Sequence, residues 1–244
     1  MEHKENIQDY WDKQNPLLEK LYNGVGDYVK IIKGFGRSFE LRKRSIRCID
    51  ERVAGGIHIA GSGILLGKER ISKIAREANV TEITSHEACG ASQLAYDNLT
   101  PEEKAMYPNA GEYAKAWTQE RAQELGIGYT HLDVTPQGFH IARVVYYDAS
   151  GTFDPSKISE LPSGFIVSRK YISKEEAQKD LDIAISIAFG AHGFGHRFKK
   201  GSEFLIIPIA GEASLETLNE EVKSIAQQYG DRVKIDGFNA PHEK

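Results

Sequence analysis

The segment that predicts the fold class covers residues 39–85, which read FELRKRSIRCIDERVAGGIHIAGSGILLGKERISKIAREANVTEITS. Apolar residues alternate over 39–49, a short apolar run at 56–61 is bounded by glycines, and 81–85 is rich in β-branched side chains, so each predicts a strand. Residues 68–79 carry isoleucine and alanine at helical spacing and predict a helix. Strand, strand, helix and strand in this order are typical of a βαβ unit, whose parallel strands place ligands at their carboxyl ends.

The rest of the chain continues this alternation of helices and strands. A helix is predicted over 6–22 with a restart at Asn15-Pro16, where Asn suits an N-cap and Pro the first helical position. The later predicted elements are helical residues 91–128, strands at 128–134, 139–147, 165–168, 204–209 and 233–235, and helices at 173–189 and 214–229.

Residues 154–164 contain two prolines, three serines and a glycine, and they are the best candidate for a domain boundary. They predict a first domain over 1–154 and a C-terminal α/β segment over 155–244. Periodicity leaves open whether this segment extends the first sheet or forms a subdomain of its own.

Composition and charge exclude several classes of protein. The chain has 244 residues, of which 40% are hydrophobic and 27% charged, and its net charge is -4. Nucleic acids and anionic membranes are bound by clustered Lys and Arg, and the one basic run, residues 42–44 with Arg47 beside it, is typical of a solvated surface. The start is polar, and no stretch approaches the roughly eighteen apolar residues of a membrane span. We therefore expect a cytoplasmic protein that binds neither nucleic acid nor membrane.

Both cysteines of the chain lie just beyond predicted strand ends. Cys48 opens a Cys-x-Asp-x-Arg motif with Asp50 and Arg52, and Cys89 closes a His-x-x-Cys motif that begins at His86. Two thiolates and an imidazole suit Zn²⁺, and three protein ligands leave a fourth tetrahedral position, as in catalytic sites. A bidentate Arg52 would keep the Asp50 carboxylate ionised and fixed in direction. The carboxylate then either orients a zinc-bound hydroxide or fills the fourth position itself, and the sequence leaves both possibilities open.

Three segments around these motifs carry a resemblance to a known family. They are Arg47-Cys-Ile-Asp-Glu-Arg-Val53, Ile57-His-Ile-Ala-Gly-Ser-Gly63 and, after a helix, Ile83-Thr-Ser-His-Glu-Ala-Cys-Gly90. Together they resemble the zinc core of the β-class carbonic anhydrases. The resemblance covers roughly residues 44–97 and 138–153, the second stretch being similar to the strand and turn that follow this core in the family.

This resemblance implies a fold, a metal, a reaction and an assembly. The implied fold is a mostly parallel sheet flanked by helices, to which the C-terminal α/β segment is an addition. Cys48, His86 and Cys89 are implied as zinc ligands, and Asp50 with Arg52 as the catalytic dyad. The implied activity is reversible hydration of carbon dioxide to bicarbonate by a zinc-bound hydroxide, in a homodimer or a higher homo-oligomer.

Several residues depart from the family pattern. Glu51 replaces a small Ser, Glu87 adds a carboxylate beside the ligand His, Ala91 replaces a second glycine, and the loop at 53–55 is short. Added negative charge near the metal raises the pKa of bound water. Two alternatives follow: a hydrolase of a CO₂-like molecule such as carbonyl sulfide or carbon disulfide, or a non-catalytic zinc protein in which Asp50 closes the coordination sphere.

The remaining histidines do not identify a proton relay. Any of the seven outside the predicted ligand set could serve. His192 and His196 have helical spacing, but the glycines around them predict a loop or a helix exit, with a pocket lid as the alternative.

Overall fold

The computed structural model describes residues 6–40, 44–134 and 138–241, and it has an α/β fold in which helices flank two sheets of parallel strands. The helices are α1 (Ile7–Tyr22), α2 (Val25–Ile31), α3 (Lys68–Glu77), α4 (Gly90–Asp97), α5 (Pro101–Lys104), α6 (Ala110–Leu125), α7 (Lys174–Phe189) and α8 (Leu215–Ala226). The strands are β1 (Ser45–Arg47), β2 (Ile57–His58), β3 (Glu82–His86), β4 (Gly128–Leu132), β5 (Val144–Asp148), β6 (Phe165–Ser168), β7 (Phe204–Ala210), β8 (Val233–Ile235) and β9 (Phe238–Asn239). The predicted α/β class with parallel sheets is confirmed.

The two sheets share one connectivity. The first sheet has the order β2-β1-β3-β4, and the second has the order β6-β5-β7-β8, with β9 also paired to β7. Each of these pairs is parallel. In each sheet the earliest strand lies inside, and the next two strands lie on opposite sides of it. This reversal leaves a crevice at the carboxyl ends of β1 and β3, where such sheets bind ligands.

The sheets meet along β2 and β6. The backbone N–H of His58 donates to Ser168 Oγ at 2.9 Å, and the N–H of Ile166 donates to the carbonyl of Ile49 at 3.2 Å. One cluster of buried apolar side chains continues across both sheets. β5 precedes residue 154 but pairs with β6 and β7, which follow it, so the sheets do not divide where the sequence predicted a boundary. Periodicity identifies a strand but not its partner.

Helix α1 runs through Pro16 without the restart predicted at Asn15, so that prediction is wrong. The N-cap is Asn6, whose side chain accepts from the first turn. An interior proline costs about 3 kcal/mol, and tertiary contacts offset this cost. The buried guanidinium of Arg143 lies 3.5 Å from the ring centroid of Trp11 and donates to Asn15 Oδ1 at 2.6 Å.

Three predicted strands are much shorter than expected. β2 covers only Ile57–His58 of the strand predicted at 56–61, since a 3₁₀ turn begins at Ala60. β1 covers only Ser45–Arg47 of the strand predicted at 39–49. A 3₁₀ turn occupies Phe35–Phe39, and residues 41–43 lie outside the described part. β5 begins at Val144 rather than at 139. The stretch 138–153, which resembles the strand after the zinc core, therefore supplies a central strand of the second sheet.

The basic cluster at residues 42–44 and 47 lies partly in the described part of the chain. Two of the four basic residues, Arg42 and Lys43, lie outside the described residues. Arg44 donates to the carbonyl of Ala78, and Arg47 donates to Ser45 Oγ at 2.8 Å. Within residues 6–40, 44–134 and 138–241, no helix has the length and apolar character needed to cross a membrane.

Candidate metal centre

The carboxyl ends of β1 and β3 bring together the three predicted ligands. Cys48 follows β1 directly, His86 is the last residue of β3, and Cys89 is the N-cap of α4. Between them Ala88 has a φ of 52° in the left-handed region, and this tight turn lets His86 and Cys89 face one point. Their ligand atoms and Cys48 Sγ all lie within 4.8 Å of one another. This cluster is able to bind a metal ion.

Hydrogen bonds aim the ligand atoms at that point. His86 Nδ1 lies 2.8 Å from the carbonyl of Glu87, so with its proton on Nδ1 the ring donates there and turns Nε2 inward. That Nε2 is buried and has no hydrogen-bond partner. A buried imidazole nitrogen without a partner is costly, and a metal ion would satisfy it. In metal sites the ligand histidine commonly donates its other ring N–H to a carbonyl, which fixes the orientation of the ring.

The two cysteine sulfurs lie close together, but their pKa values are shifted in opposite directions. Cys48 Sγ lies 3.7 Å from Cys89 Sγ and accepts from the backbone N–H of Gly61 at 3.3 Å. The facing Cys48 thiol, together with the nearby His86, lowers the pKa of Cys89 despite its burial. The same pairing and burial raise the pKa of Cys48. A thiolate at Cys89 is the form that binds metal.

Asp50 and Arg52 form the ion pair expected from their spacing. Arg52 Nε donates to Asp50 Oδ1 at 2.8 Å, and Nη2 donates to Oδ2 at 2.7 Å, while the Arg52 backbone N–H also donates to Oδ1. Burial raises the pKa of Asp50, but the hydrogen bonds and the positive charge of Arg52 have the larger effect, so the pKa is lowered overall. The carboxylate is therefore held ionised beside the cluster of Cys48, His86 and Cys89.

The two extra carboxylates of this chain are both paired. The buried Glu51 carboxylate lies 3.0 Å from His140 Nδ1 and also accepts from a backbone N–H. Burial lowers the pKa of His140, but Glu51 outweighs this and raises it. Glu87 lies 3.1 Å from Lys115 Nζ and 2.9 Å from His131 Nε2. Its pKa is lowered, first by His131 and then by Lys115.

Sequence reasoning missed these partners. His140 is 89 residues from Glu51 along the chain, and Lys115 lies on α6. No motif spacing therefore links His140 or Lys115 to the predicted ligands. Asp50, Glu51 and His140 form a second group whose ligand atoms lie within 4.8 Å of one another. Asp50 therefore lies close to His140 as well as forming the ion pair with Arg52.

Three cavities lined by described residues adjoin the centre. One of them, of about 430 Å³, lies beside His86, Glu87 and Cys89. A space of about 10 Å³ lies against Cys48, Asp50 and Cys89, and apolar side chains close its other side. A wider cavity of about 350 Å³ is lined by Arg52, His140 and His192, among others. His140 lines the narrow space and the wider cavity.

The glycine-rich stretch after α7 forms a loop, as its composition predicts. α7 ends at Phe189, and a 3₁₀ turn covers Gly195–Arg197. His192 therefore reaches the wider cavity from a loop and does not share a helical face with His196.

No protein-family model, curated protein or solved structure matches the chain.

Proposed function

We propose that this protein is a zinc enzyme that reversibly hydrates carbon dioxide to bicarbonate, with the site chemistry of the β-class carbonic anhydrases. The observation that carries the proposal is a juxtaposition. Cys48, His86 and Cys89 form a three-ligand cluster, and the Asp50–Arg52 ion pair lies beside this cluster. Asp50 belongs to a separate group with Glu51 and His140.

The spacing of the sulfurs supports zinc. Two thiolates bound to one tetrahedral zinc at about 2.3 Å lie about 3.8 Å apart, and the Cys48 and Cys89 sulfurs are 3.7 Å apart. His86 Nε2 supplies a third, borderline ligand that suits the same ion. When bound, zinc acts as a Lewis acid that lowers the pKa of water toward about 7.

Asp50 orients the attacking water. Its ionised carboxylate accepts a hydrogen bond from that water and so directs an oxygen lone pair at the carbon of CO₂. Arg52 keeps the carboxylate fixed through its two parallel hydrogen bonds, which only a guanidinium supplies in this geometry. One carbon–oxygen bond forms, one carbon–oxygen π pair moves to oxygen, and a proton leaves, so CO₂ and H₂O give HCO₃⁻ and H⁺.

The pairing of the extra carboxylates favours catalysis over a purely structural metal site. Unpaired, Glu51 and Glu87 would raise the pKa of water at the metal. His140 balances the first carboxylate, and Lys115 with His131 balances the second. Product and proton leave the site through the cavity beside His86 and Cys89 or through the wider cavity beside Arg52 and His140.

The test is stopped-flow CO₂ hydration by protein with quantified zinc, measured from about pH 6.5 to 9, the range that brackets the pKa expected of water on zinc. Cys89→Ser is the blank, since it removes a ligand. We expect hydration above this blank with one zinc per chain and a rate that rises with pH. Absence of stoichiometric zinc in protein purified without chelator would overturn the proposal. Full zinc with no hydration above the blank would also overturn it.

A further inference from the structure

The C-terminal segment (155–244) reaches the metal centre through hydrogen bonds from its backbone and its side chains. Ile166 donates to the carbonyl of Ile49, directly after Cys48. Ser168 accepts from the N–H of His58 in β2. Contacts from the second sheet therefore fix the strand and the turn that carry the first ligand.

A third contact holds the loop after β2. Asp180 on α7 accepts from the N–H of Ala60 at 2.9 Å, and the next amide, that of Gly61, points at the Cys48 sulfur. The position of Cys48 therefore depends on a helix more than 120 residues later in the chain.

The same segment supplies the apolar side of the narrow space at the metal centre. Phe165 in β6 is fully buried, and Ile183 and Ile187 on α7 are partly buried against the core. All three line the space of about 10 Å³ that also contacts Cys48 and Cys89. Ile183 and Ile187 are four residues apart and so project from one face of the helix.

We infer that Phe165, Ile183 and Ile187 are specificity-determining residues. Their apolar wall beside Cys48 and Cys89 favours small linear molecules, and it favours oxygen over the larger sulfur at the ends of such molecules. The inference rests on the proposed function, because it concerns the substrate of the same site. A space this small holds about one water-sized group, so only one terminal atom of such a molecule fits against the wall. An apolar wall offers no hydrogen bond to a charged or hydroxylated substrate, and a longer carbon–sulfur bond would press on the isoleucines.

The size effect is expected to be large. In an apolar pocket one methylene group changes discrimination by roughly 10-fold to 200-fold, and Ile→Ala removes more than one carbon from the wall. Carbonyl sulfide is the turnover probe: a carbon–oxygen bond to water forms, the carbon–sulfur bond breaks, and COS and H₂O give CO₂ and H₂S.

The first experiment measures binding and needs no turnover. Cobalt(II) replaces zinc, and its visible absorption is titrated with cyanate and with thiocyanate, which are isoelectronic with CO₂ and COS. We expect Ile187→Ala to shift the ratio of the two dissociation constants toward thiocyanate by at least about tenfold. Ile225→Ala is the matched control, because Ile225 is also a partly buried isoleucine of the C-terminal segment but lies on α8, away from the space.

The second experiment measures turnover of COS relative to CO₂ by the zinc proteins. We expect this ratio to rise in Ile187→Ala and to stay unchanged in Ile225→Ala. If Ile187→Ala does not fold, Ile187→Val should shift both ratios in the same direction by a smaller factor.

The outcomes separate the two proposals. Equal ratios in wild type and in folded, metal-loaded Ile187→Ala would overturn the specificity role, even if wild type hydrates CO₂. A shift in anion preference without CO₂ hydration by any variant would support the specificity role and overturn the proposed function. Failure of wild type to bind either metal would overturn both.

Discussion

The carboxylate of Asp180 accepts a hydrogen bond from the backbone N–H of Ala60 at 2.9 Å. Asp180 is buried on α7, and Ala60 lies in the loop whose next amide faces the Cys48 sulfur. This bond needs an acceptor but not a negative charge. Burial, by contrast, opposes the charge and raises the pKa of Asp180 to about 7.

The raised pKa of Asp180 predicts a pH-dependent stability. Between about pH 4 and 7 the folded protein holds a proton that the unfolded chain has released, so the contribution of Asp180 to the unfolding free energy falls as pH rises. Asp180→Asn keeps an acceptor and carries no charge. We expect the variant to gain roughly 1–4 kcal/mol over wild type at pH 8, and much less at pH 5, in urea unfolding.

Asp182→Asn on the same helix is the control for this series. Asp182 accepts from the hydroxyl of Tyr229, and its substitution should not reproduce the pH-dependent gain. Equal differences from wild type at pH 5 and pH 8 for Asp180→Asn would contradict the prediction.

Removal of a metal ligand should abolish metal binding. We expect Cys89→Ser to hold less than about a tenth of the zinc of wild type, because loss of one of three ligands leaves an incomplete soft donor set. Elemental analysis after desalting measures this. His192→Asn is the control, since His192 lines the neighbouring cavity but not the cluster, and its zinc content should equal that of wild type.

Zinc should also stabilise the folded chain. A ligand at 100 times its dissociation constant adds about 2.7 kcal/mol when it binds only the folded state. Thermal unfolding with and without a chelator should therefore differ for wild type and for His192→Asn, and the difference should vanish for Cys89→Ser. A chelator effect that persists in Cys89→Ser would place the metal elsewhere.

The Asp50–Arg52 pair should matter for rate and not for metal content. Asp50→Asn loses the ionised acceptor, and we expect kcat/KM for CO₂ hydration to fall by about 100-fold or more. Arg52→Lys keeps a positive charge but not the two parallel hydrogen bonds, and a loss of about 10-fold or more is expected. Zinc content measured on the same samples should stay at the wild-type value. Loss of zinc in Asp50→Asn would instead make Asp50 a metal ligand.

Gly56 is required by a close backbone approach. It has a φ of 95°, and an added Cβ would lie 2.5 Å from the carbonyl oxygen of Ser45. Gly67 has a φ of 80° but open space around the corresponding position. Gly56→Ala should therefore lose about 1–3 kcal/mol more unfolding free energy than Gly67→Ala, because both share the backbone strain but only one has the clash. Equal losses in chemical denaturation would show that strain alone acts.

Local patterns in the sequence predicted several elements closely. The helix predicted over 173–189 matches α7, which begins after a capping box formed by Ser173 and Glu176. The glycines around His192 predicted a loop, which is confirmed. The position of Pro16 was not predicted correctly from local patterns. Pro16 lies inside α1, because the contact of Arg143 with Trp11 stabilises that helix.

Sequence alone determined the donor set of this protein and the strand ends that carry it, because ligand chemistry and hydrophobic periodicity depend on residue type and local spacing. The meeting of Cys48 with Cys89, the pairing of Glu51 with His140 and the packing of Ile187 against the site were decided only by the tertiary structure. These contacts join residues tens to more than a hundred positions apart. They depend on which strands pair and on how the second sheet meets the first, and neither is encoded in local spacing.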